Sequence, residues 1–413
     1  MSNVKDLKLS ASGRLNIEWA EKEMSALLEV RKRFAKEQPL KGLRIGMALH
    51  ITKETAVLVE TLKAGGADVW LASCNPLSTQ DDVAAALADT GIHTFGWKGQ
   101  NKEEYYQNLN AVIASRPHIT IDDGCDLVSE IHLKHKELIP SIIGGTEETT
   151  TGVIRLRAME HDKALKYPVI AVNDNKTKHL VDNYYGTGQS AIDGIIRATN
   201  ILLAGKTFIV VGYGSCGKGV ALRAKGLGAE VIVTETHPFS ALQAKLDGYR
   251  VMPMAEAVKE GDIYCTVTGD KHVLNMTHFA AMKDGAILAN AGHFDIEIDL
   301  AGLTKASSAK RRIRPFLDEF TLNGKRLYVC AEGRLVNLAA AEGHPSAVMS
   351  LSFCGQALAA EYLAKNKLSP AVHTLPVAVD DDIARIALKA MGVRIDTLTQ
   401  EQKQYLDSWE EGT

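Results

Sequence analysis

The sequence predicts an α/β protein with two doubly wound, parallel-sheet domains and a small helical C-terminal segment. Apolar runs of strand length alternate with amphipathic runs of helix length along most of the chain. A glycine turn joins a strand to a helix near the middle, and polar clusters follow several other predicted strands. This alternation is typical of parallel sheets covered by helices on both faces.

The composition excludes several classes of protein. A chain of 413 residues suggests two or three domains, and its net charge of −3 favours neither nucleic acid nor an anionic membrane as partner. Six scattered cysteines without a CxxC pair argue against a structural zinc site and a disulfide framework, so no metal is predicted. There is no signal-peptide pattern and no membrane-length apolar window, which predicts a cytoplasmic protein.

The first half of the chain reads as alternating helices and strands. Near-helical spacing of apolar residues predicts one amphipathic helix over 14–38. Further apolar patterns predict strands over 43–49, 67–72, 93–97, 119–121 and 169–172, and helices through 62 and over 80–89, 101–115 and 188–203.

Polar residues gather where these strands end, which is where open α/β sheets bind ligands. Any one cluster could be a helix cap or a turn. Four in succession predict a substrate cleft: His50/Thr52/Glu54, Ser73–Asn75, Asp122/Asp123 and Glu147–Thr151.

Lys178 and Asp182 are spaced to share one face of a helix. They could form a surface ion pair, worth a few tenths of a kcal/mol. The lysine precedes the acid, the less favourable order for such a pair, and this favours a site.

The segment from Ala204 to Glu235 has the order strand, glycine turn, helix, strand, acid, which a dinucleotide site requires. Gly212 permits the tight turn, Gly214 lets the backbone approach a pyrophosphate, and Gly217 lets the helix lie close to the strand. The helix N-terminus offers N–H groups to phosphates. Glu235 is placed to bind a ribose diol and would repel a 2′-phosphate, which favours NAD over NADP.

The remaining elements continue this second domain. Expected helices cover 240–247, 254–260, 275–282 and 344–365, with strands over 250–252, 263–267, 286–289 and 327–330, and two helical segments between 375 and 409. Asn290–His293 follows a strand and should face the nicotinamide side of the crevice. The basic run Lys310–Arg312 is predicted to be a solvated loop.

Nearly the whole chain resembles the S-adenosylhomocysteine hydrolase family. The resemblance rests on these blocks, in order: LHITKETAVLVETL, SCNPLSTQDDVAAAL, DDGCDL, EETTTGV, VNDNKTKHLVDNYYG, GYGSCGKG, NAGHFDIEID, AEGRLVNL and GHPSAVMS. It implies a split substrate domain over 1–183, to which 345–375 returns, a Rossmann NAD domain over 184–344 and an oligomerisation segment over 376–413. A homotetramer is also implied.

The family's chemistry avoids direct cleavage of a thioether. Its members use tightly held NAD⁺ to oxidise the ribose 3′-hydroxyl, which acidifies the C4′ proton. Homocysteine is eliminated, water adds, and the ketone is reduced again. The resemblance thus implies reversible hydrolysis of S-adenosyl-L-homocysteine to adenosine and homocysteine.

Site residues follow from the matched blocks. Lys178 would be the base for the 3′-hydroxyl, with Glu148 and Asp182 holding the ribose hydroxyls. An amine base near neutral pH needs a lowered pKa, which is therefore expected of Lys178. His50, Asp123 and His293 would serve C4′ and C5′, and Thr52, Glu54 and His344 the purine. The implied NAD contacts are Thr149, Thr150, Thr151, Asn183, Gly212, Gly214, Ser215, Cys216, Gly217, Lys218, Gly219, Glu235, Ser240, Thr268, Ala291, Gly292, His293 and Asn337.

The sequence also departs from the family pattern. Thr187 stands where many members have a cysteine, Ser215 replaces a common aspartate and Ser240 a common asparagine. The chain ends at Thr413 without the Lys- and Tyr-containing tail of longer members, and NAD is therefore expected to exchange more readily. A weak similarity at Gln80, His344 and Met349 concerns a monovalent-cation region of some members.

Three alternatives remain open. An ordinary NAD-dependent dehydrogenase would release reducing equivalents, and a non-catalytic NAD-binding regulatory homologue would have lost ionisable residues that are all present here. Short-tailed relatives also include hydrolases of S-inosylhomocysteine. The Glu54 carboxylate suits the amino group of adenine better than the carbonyl oxygen of hypoxanthine.

Overall fold

The computed structural model describes residues 2–410. Its strands are β1 Arg44–Ala48, β2 Asp68–Ala72, β3 His93–Phe95, β4 Ile119–Asp122, β5 Gly144–Glu147, β6 Val169–Ala171, β7 Thr207–Val211, β8 Glu230–Thr234, β9 Arg250–Val251, β10 Ile263–Thr266, β11 Ala286–Asn290, β12 Ala309–Arg314, β13 Leu317–Leu322, β14 Lys325–Cys330 and β15 Val372–His373.

The helices lie between these strands and after them. They are α1 Ser10–Glu23, α2 Ser25–Glu37, α3 Lys53–Ala64, α4 Asp81–Asp89, α5 Lys102–Ala114, α6 Asp126–Lys134, α7 Thr150–His161, α8 Lys176–His179, α9 Thr187–Thr199, α10 Ser215–Gly226, α11 Pro238–Leu246, α12 Met254–Ala257, α13 Met276–Ala281, α14 Leu300–Ala306, α15 Val336–Ala339, α16 Ser346–Lys365, α17 Val377–Ala390 and α18 Gln400–Asp407.

The first sheet is parallel throughout, in the order β15-β6-β5-β4-β1-β2-β3. The strand order reverses between β1 and β4, and a crevice forms at such a switch point. After α16 the chain returns to this sheet, because β15 pairs with β6.

The second sheet has the order β12-β13-β14-β11-β10-β7-β8-β9. The strands from β14 to β9 are parallel neighbours, with a switch point between β7 and β10. Strands β12, β13 and β14 form an antiparallel edge. The predicted fold class of two doubly wound α/β sheets is confirmed.

The predicted helix over 14–38 is wrong, since two helices occupy that region. They meet at Met24, whose backbone leaves the helical region at φ −103° and ψ 39°. The Met24 side chain is fully buried. Helix α1 packs mainly on α4, whereas α2 packs mainly on α3 and α16, although α1 also contacts α3.

The predicted loop at Lys310–Arg312 is also wrong, because these residues lie in the edge strand β12. Arg311 is paired directly with Glu319, and Arg312 with Asp318. Both pairs form salt bridges, and cross-strand opposite charges stabilise antiparallel pairing. Charged side chains on an edge strand also discourage pairing with other chains.

Most other predicted elements are present, with ends that differ by a few residues. The elements that were not predicted are β5, α6, α7, β12, β13, α14, α15 and β15. Residues 411–413 of the predicted C-terminal segment lie outside the described residues. Within 2–410, no helix combines the length and apolar character needed to cross a membrane.

Candidate active site

A cavity of about 1030 Å³ lies between the carboxyl ends of the two sheets. Both switch points open onto it, as expected for doubly wound sheets. The predicted site residues that line it are His50, Thr52, Glu54, Asp123, Glu148, Thr149, Thr150, Thr151, Lys178, Asp182, Asn183, Gly212, Gly214, Ser215, Cys216, Glu235, Thr268, Ala291, Gly292, His293, Asn337 and His344. Gly217, Lys218, Gly219 and Ser240 are outside this lining.

Lys178 is buried among acceptors at the centre of the cavity. Its Nζ lies 2.7 Å from Asp182 Oδ2 and 3.7 Å from Glu148 Oε1, and it donates to Asn183 Oδ1 at 2.7 Å. Burial disfavours the charged amine, but the carboxylates of Asp182 and Glu148 outweigh burial and raise the pKa of Lys178. This is the reverse of the lowering expected from the sequence.

The two carboxyl groups beside Lys178 differ in proton affinity. Burial raises the pKa of Glu148 to about 7, against the attraction of Lys178. Burial also acts on Asp182, but His344 and Lys178 outweigh it and lower the pKa of Asp182. A proton in this cluster therefore resides on Lys178 or Glu148 rather than on Asp182.

Helix α16 supplies two partners of Glu148 that the sequence motifs did not indicate. The Ser352 hydroxyl donates to Glu148 Oε1, and Gln356 Nε2 donates to Oε2 at 2.6 Å. Both partners lie about 200 residues further along the chain. The available signal was the spacing of this polar pair, one helical turn apart, in the mostly apolar stretch from 347 to 360.

Asp123 lies between two histidines. Its Oδ2 is 3.4 Å from His50 Nε2, and its Oδ1 is 3.4 Å from His293 Nδ1. Burial lowers the pKa of His50 to about 4, against the attraction of Asp123, so His50 is neutral near pH 7. Gly124 makes this approach possible: it has φ +107°, and a Cβ there would lie 2.3 Å from His293 Nε2.

One group of described residues has a composition that could hold a metal ion. His50, Cys74 and Asp123 each place one potential ligand atom within 4.8 Å of the others. It was not part of the prediction from sequence. Two of the residues that resemble a monovalent-cation region of the family are separated here. Met349 lines the cavity, whereas Gln80 lies outside the lining and accepts a hydrogen bond from the backbone N–H of Lys53.

The part of the cavity predicted to bind the purine, called the purine end below, lies at the start of α3. Thr52 is the helix cap and accepts from the backbone N–H of Thr55. Glu54 is buried, and its Oε1 accepts from the Ser346 hydroxyl at 2.6 Å. The ring of His344 lies elsewhere: its nitrogens contact Asp182 and Thr187.

The glycine turn fits a dinucleotide phosphate. Gly212 has φ +104°, and a side chain at Gly214 would meet nothing within 4 Å, so the backbone there faces open space. Helix α10 begins at the cavity without a side-chain cap, which leaves its first N–H groups available to an anion. Glu235 accepts three backbone N–H bonds, which outweigh burial and lower its pKa, and it lines the cavity as a carboxylate.

The predicted cofactor residues outside the lining have other contacts. A Cβ at Gly217 would lie 2.1 Å from the carbonyl oxygen of Gly212, so Gly217 lets α10 pack against the turn. Lys218 donates to Gln243 on α11, and Ser240 contacts His237.

Glu297 organises the opposite side of the cavity and was missed in the sequence. It is buried, and it accepts from the backbone N–H groups of Thr268 and Gly269. A Cβ at Gly292 would lie 1.6 Å from Glu297 Oε1, so this carboxylate requires glycine at 292. Glu297 therefore joins two loops that line the cavity.

Two family models match the chain. The model described as "S-adenosyl-L-homocysteine hydrolase" matches residues 1–137, and the one for the NAD binding domain of that enzyme matches 183–343. The adenosylhomocysteinase of Saccharolobus solfataricus is 58% identical over 414 residues, covering 99% of each chain. The chain belongs to the S-adenosyl-L-homocysteine hydrolase family.

Two further similarities refine this assignment. The S-inosyl-L-homocysteine hydrolase of Methanocaldococcus jannaschii is 56% identical over 415 residues, covering 100% of both chains. Among solved structures, a dipicolinate synthase chain from Bacillus halodurans superposes with a TM-score of 0.50 at 13% identity, over 79% of this chain and 98% of the other, which shows a shared fold. As a member of the hydrolase family with its NAD-binding domain, the chain is a hydrolase that uses NAD.

Proposed function

We propose that the chain catalyses the reversible hydrolysis of S-adenosyl-L-homocysteine to adenosine and L-homocysteine. One observation carries the proposal: two ionisable clusters, Glu148–Lys178–Asp182 and His50–Asp123–His293, face one cavity beside the dinucleotide turn. When bound, NAD supplies reversible oxidation at the ribose 3′ carbon. The side chains supply binding and proton transfer.

The first cluster suits the ribose hydroxyls. Lys178 takes the proton of the 3′-hydroxyl, and Asp182 and Glu148 accept hydrogen bonds from the diol. Because its neighbours raise the pKa of Lys178, the amine must first give up a proton. Glu148 is the nearest group able to accept one, since its Oε1 is 3.7 Å from Nζ and its pKa is about 7.

The second cluster suits the elimination and addition steps. Asp123 and the neutral imidazole of His50 exchange protons with C4′ and with the groups at C5′. His50 Nε2 and Asp123 Oδ2 are 3.4 Å apart, so a proton can pass between them once substrate binding shortens this contact to hydrogen-bond distance. His293 holds the other oxygen of Asp123 and keeps the carboxylate oriented.

The contacts at the purine end favour adenine over hypoxanthine as the bound base. Ser346 occupies Glu54 Oε1, which leaves Oε2 to accept the N6 amino group of adenine. Lys53 is a donor that could serve the O6 atom of hypoxanthine, but its Nζ is held 3.3 Å from Glu54 Oε1 and 3.2 Å from Glu342 Oε2, and Lys53 lies outside the cavity lining. S-inosyl-L-homocysteine is the second candidate substrate, because the identity to a relative of that name is nearly as high as to an adenosylhomocysteinase.

The test is thiol release by the purified chain from both thioether nucleosides, with and without added NAD⁺. We expect release from the adenosyl compound to exceed release from the inosyl compound. Lys178→Ala should abolish turnover, whereas Lys176→Ala, an exposed lysine on the same short helix, should not. Retained activity in Lys178→Ala would contradict the assignment of the base.

Following NADH absorbance alongside thiol release in the same reaction separates the rival classes of protein. An ordinary dehydrogenase would accumulate NADH with substrate at steady state, whereas the hydrolase leaves the cofactor pool unchanged. A non-catalytic regulatory homologue would bind NAD and nucleoside without releasing thiol.

We further propose a cytoplasmic homotetramer with the domain boundaries given by the resemblance. The C-terminal segment supports assembly, because it exposes apolar side chains that include Val377, Met391, Ile395, Leu406 and Trp409. Light scattering of the purified chain tests the oligomer, and a monomer at micromolar concentration would contradict it.

A further inference from the structure

His344 has both ring nitrogens engaged beside the proposed base. Its Nδ1 lies 2.5 Å from Asp182 Oδ1, and its Nε2 lies 3.2 Å from the Thr187 hydroxyl. The other oxygen of Asp182 holds Lys178 Nζ at 2.7 Å. One buried carboxylate is therefore shared between the imidazole and the amine.

The local backbone is shaped to admit this ring. Asp182–Gly186 form a π-helical turn, a feature that is frequent at functional sites. A Cβ at Gly186 would lie 2.7 Å from His344 Nδ1. Gly186 has an ordinary helical φ of −65°, so glycine serves the close approach of His344 rather than an unusual backbone conformation.

The contacts determine which nitrogen carries the proton. The Asp182 carboxylate can only accept, so Nδ1 of His344 donates to it. In the neutral ring, Nε2 then accepts from the Thr187 hydroxyl. Thr187 also lies close to the thiol of Cys216, which is in the first turn of α10 at the dinucleotide site. The chain of contacts thus runs from the cofactor turn to the base.

We propose that His344 is a positioning residue that sets the proton affinity of Lys178 through Asp182, with Thr187 holding its tautomer. The inference rests on the proposed role of Lys178 as base. It also gives the His344 ring a task other than purine binding, since its nitrogens contact Asp182 and Thr187 rather than Glu54.

The direction of the effect follows from charge sharing. A hydrogen bond from Nδ1 draws the negative charge of Asp182 towards the imidazole and away from Lys178. Without that donor, Asp182 attracts the ammonium form of Lys178 more strongly, and the amine loses its proton at higher pH. The acid limb of the pH–rate profile is the range in which the oxidation rate falls as the pH falls. We expect it to move up by about one pH unit, because the loss of a hydrogen bond to a buried carboxylate shifts the pKa of a coupled group by an amount on this order.

Other charged groups around the base are the same in every variant. Glu148 and Asp123 act on Lys178 from the ends of β5 and β4, and His179 adjoins it on α8. His50 and His344 both line the cavity, and His344 acts electrostatically on His50. A shift that is confined to His344 and Thr187 variants is therefore attributable to the contact with Asp182.

The experiment follows the oxidation of adenosine in a single turnover of the NAD-loaded chain, by nicotinamide absorbance, across a pH series. His344→Leu should slow the reaction about tenfold below the limb and recover at high pH, because one pH unit is a tenfold change. His344→Asn retains an N–H near the Nδ1 position and should stay close to the unmodified chain. Thr187→Val should shift the limb in the same direction, and Thr187→Ser should not.

Gly186→Ala provides a second route if His344→Leu does not fold, because the added methyl group pushes the ring away from Asp182. It should raise the acid limb in the same way. An equal loss of rate at all pH values, with a raised KM for adenosine, would overturn the inference in favour of purine binding. Absence of nicotinamide reduction in the unmodified chain would count against the proposed function, whereas normal reduction with an unshifted limb in His344→Leu would overturn this inference alone.

Discussion

Replacement of Glu148 by glutamine should change how stability depends on pH. Burial raises the pKa of Glu148 from 4.5 to about 7. Between these values the folded chain holds a proton that the unfolded chain has released, so stability falls as pH rises through this window. A difference of about 2.5 units corresponds to about 3 kcal/mol, fully expressed above pH 7. Glu148→Gln keeps the shape of the protonated acid and cannot ionise.

The assay is urea unfolding of both chains in the same cofactor state at several pH values between 4.5 and 8. Titrating groups that Glu148 does not contact cancel in the difference between the two curves, and its neighbours Lys178 and Asp182 have a raised and a lowered pKa that lie outside this pH range. We expect Glu148→Gln to gain about 3 kcal/mol relative to the unmodified chain over this range. Glu103→Gln, on the exposed face of α5, is the matched control and should show no such trend. A constant difference between Glu148→Gln and the unmodified chain would refute the reasoning.

Two further predictions concern catalysis and cofactor choice. Gly124→Ala places a methyl group against His293 and should lower kcat about a hundredfold, since a displacement of about 1 Å can cost that much; Gly99→Ala has a similar positive φ but open space around it, and should leave kcat unchanged. Equal kcat values for the two would contradict the steric argument. Glu235→Ser should raise the affinity for NADP relative to NAD in equilibrium titrations, because it removes the charge that repels a 2′-phosphate. Glu230→Ser, at the exposed start of the strand β8 that ends just before Glu235, is the control, and an unchanged NADP affinity in Glu235→Ser would argue against this role.

The dinucleotide turn was predictable from sequence because its parts are close together in the chain. Gly212, Gly214 and Glu235 fall within one strand–helix–strand unit, whose spacing alone places them at one edge of the sheet. The same holds for Lys178 and Asp182, whose side chains meet although a helix and a π-helical turn replace the single helix assumed.

Contacts between distant segments were beyond such reasoning. Glu148 accepts hydrogen bonds from Ser352 and Gln356 of α16, and the Thr268 hydroxyl donates to Glu297 from another loop. Nothing in the local spacing indicates these pairs, since each depends on how a helix or loop folds back. The direction of the pKa shift at Lys178 was missed for the same reason, because it depends on how closely two carboxylates approach the amine.

Gly219 shows why the base and the cofactor turn act as one unit. The sequence places it in the cofactor motif, but a Cβ there would lie 2.0 Å from the carbonyl oxygen of Tyr184. Nearby, a Cβ at Gly188 would lie 2.7 Å from the backbone of Gly219. The backbone of α10 thus packs directly against the segment that carries Asp182 and Thr187, with no side chain between them. A larger residue at either glycine would move Lys178, the proposed base, away from the dinucleotide turn. These glycines therefore keep the base and the cofactor turn close enough to act on the same substrate ribose.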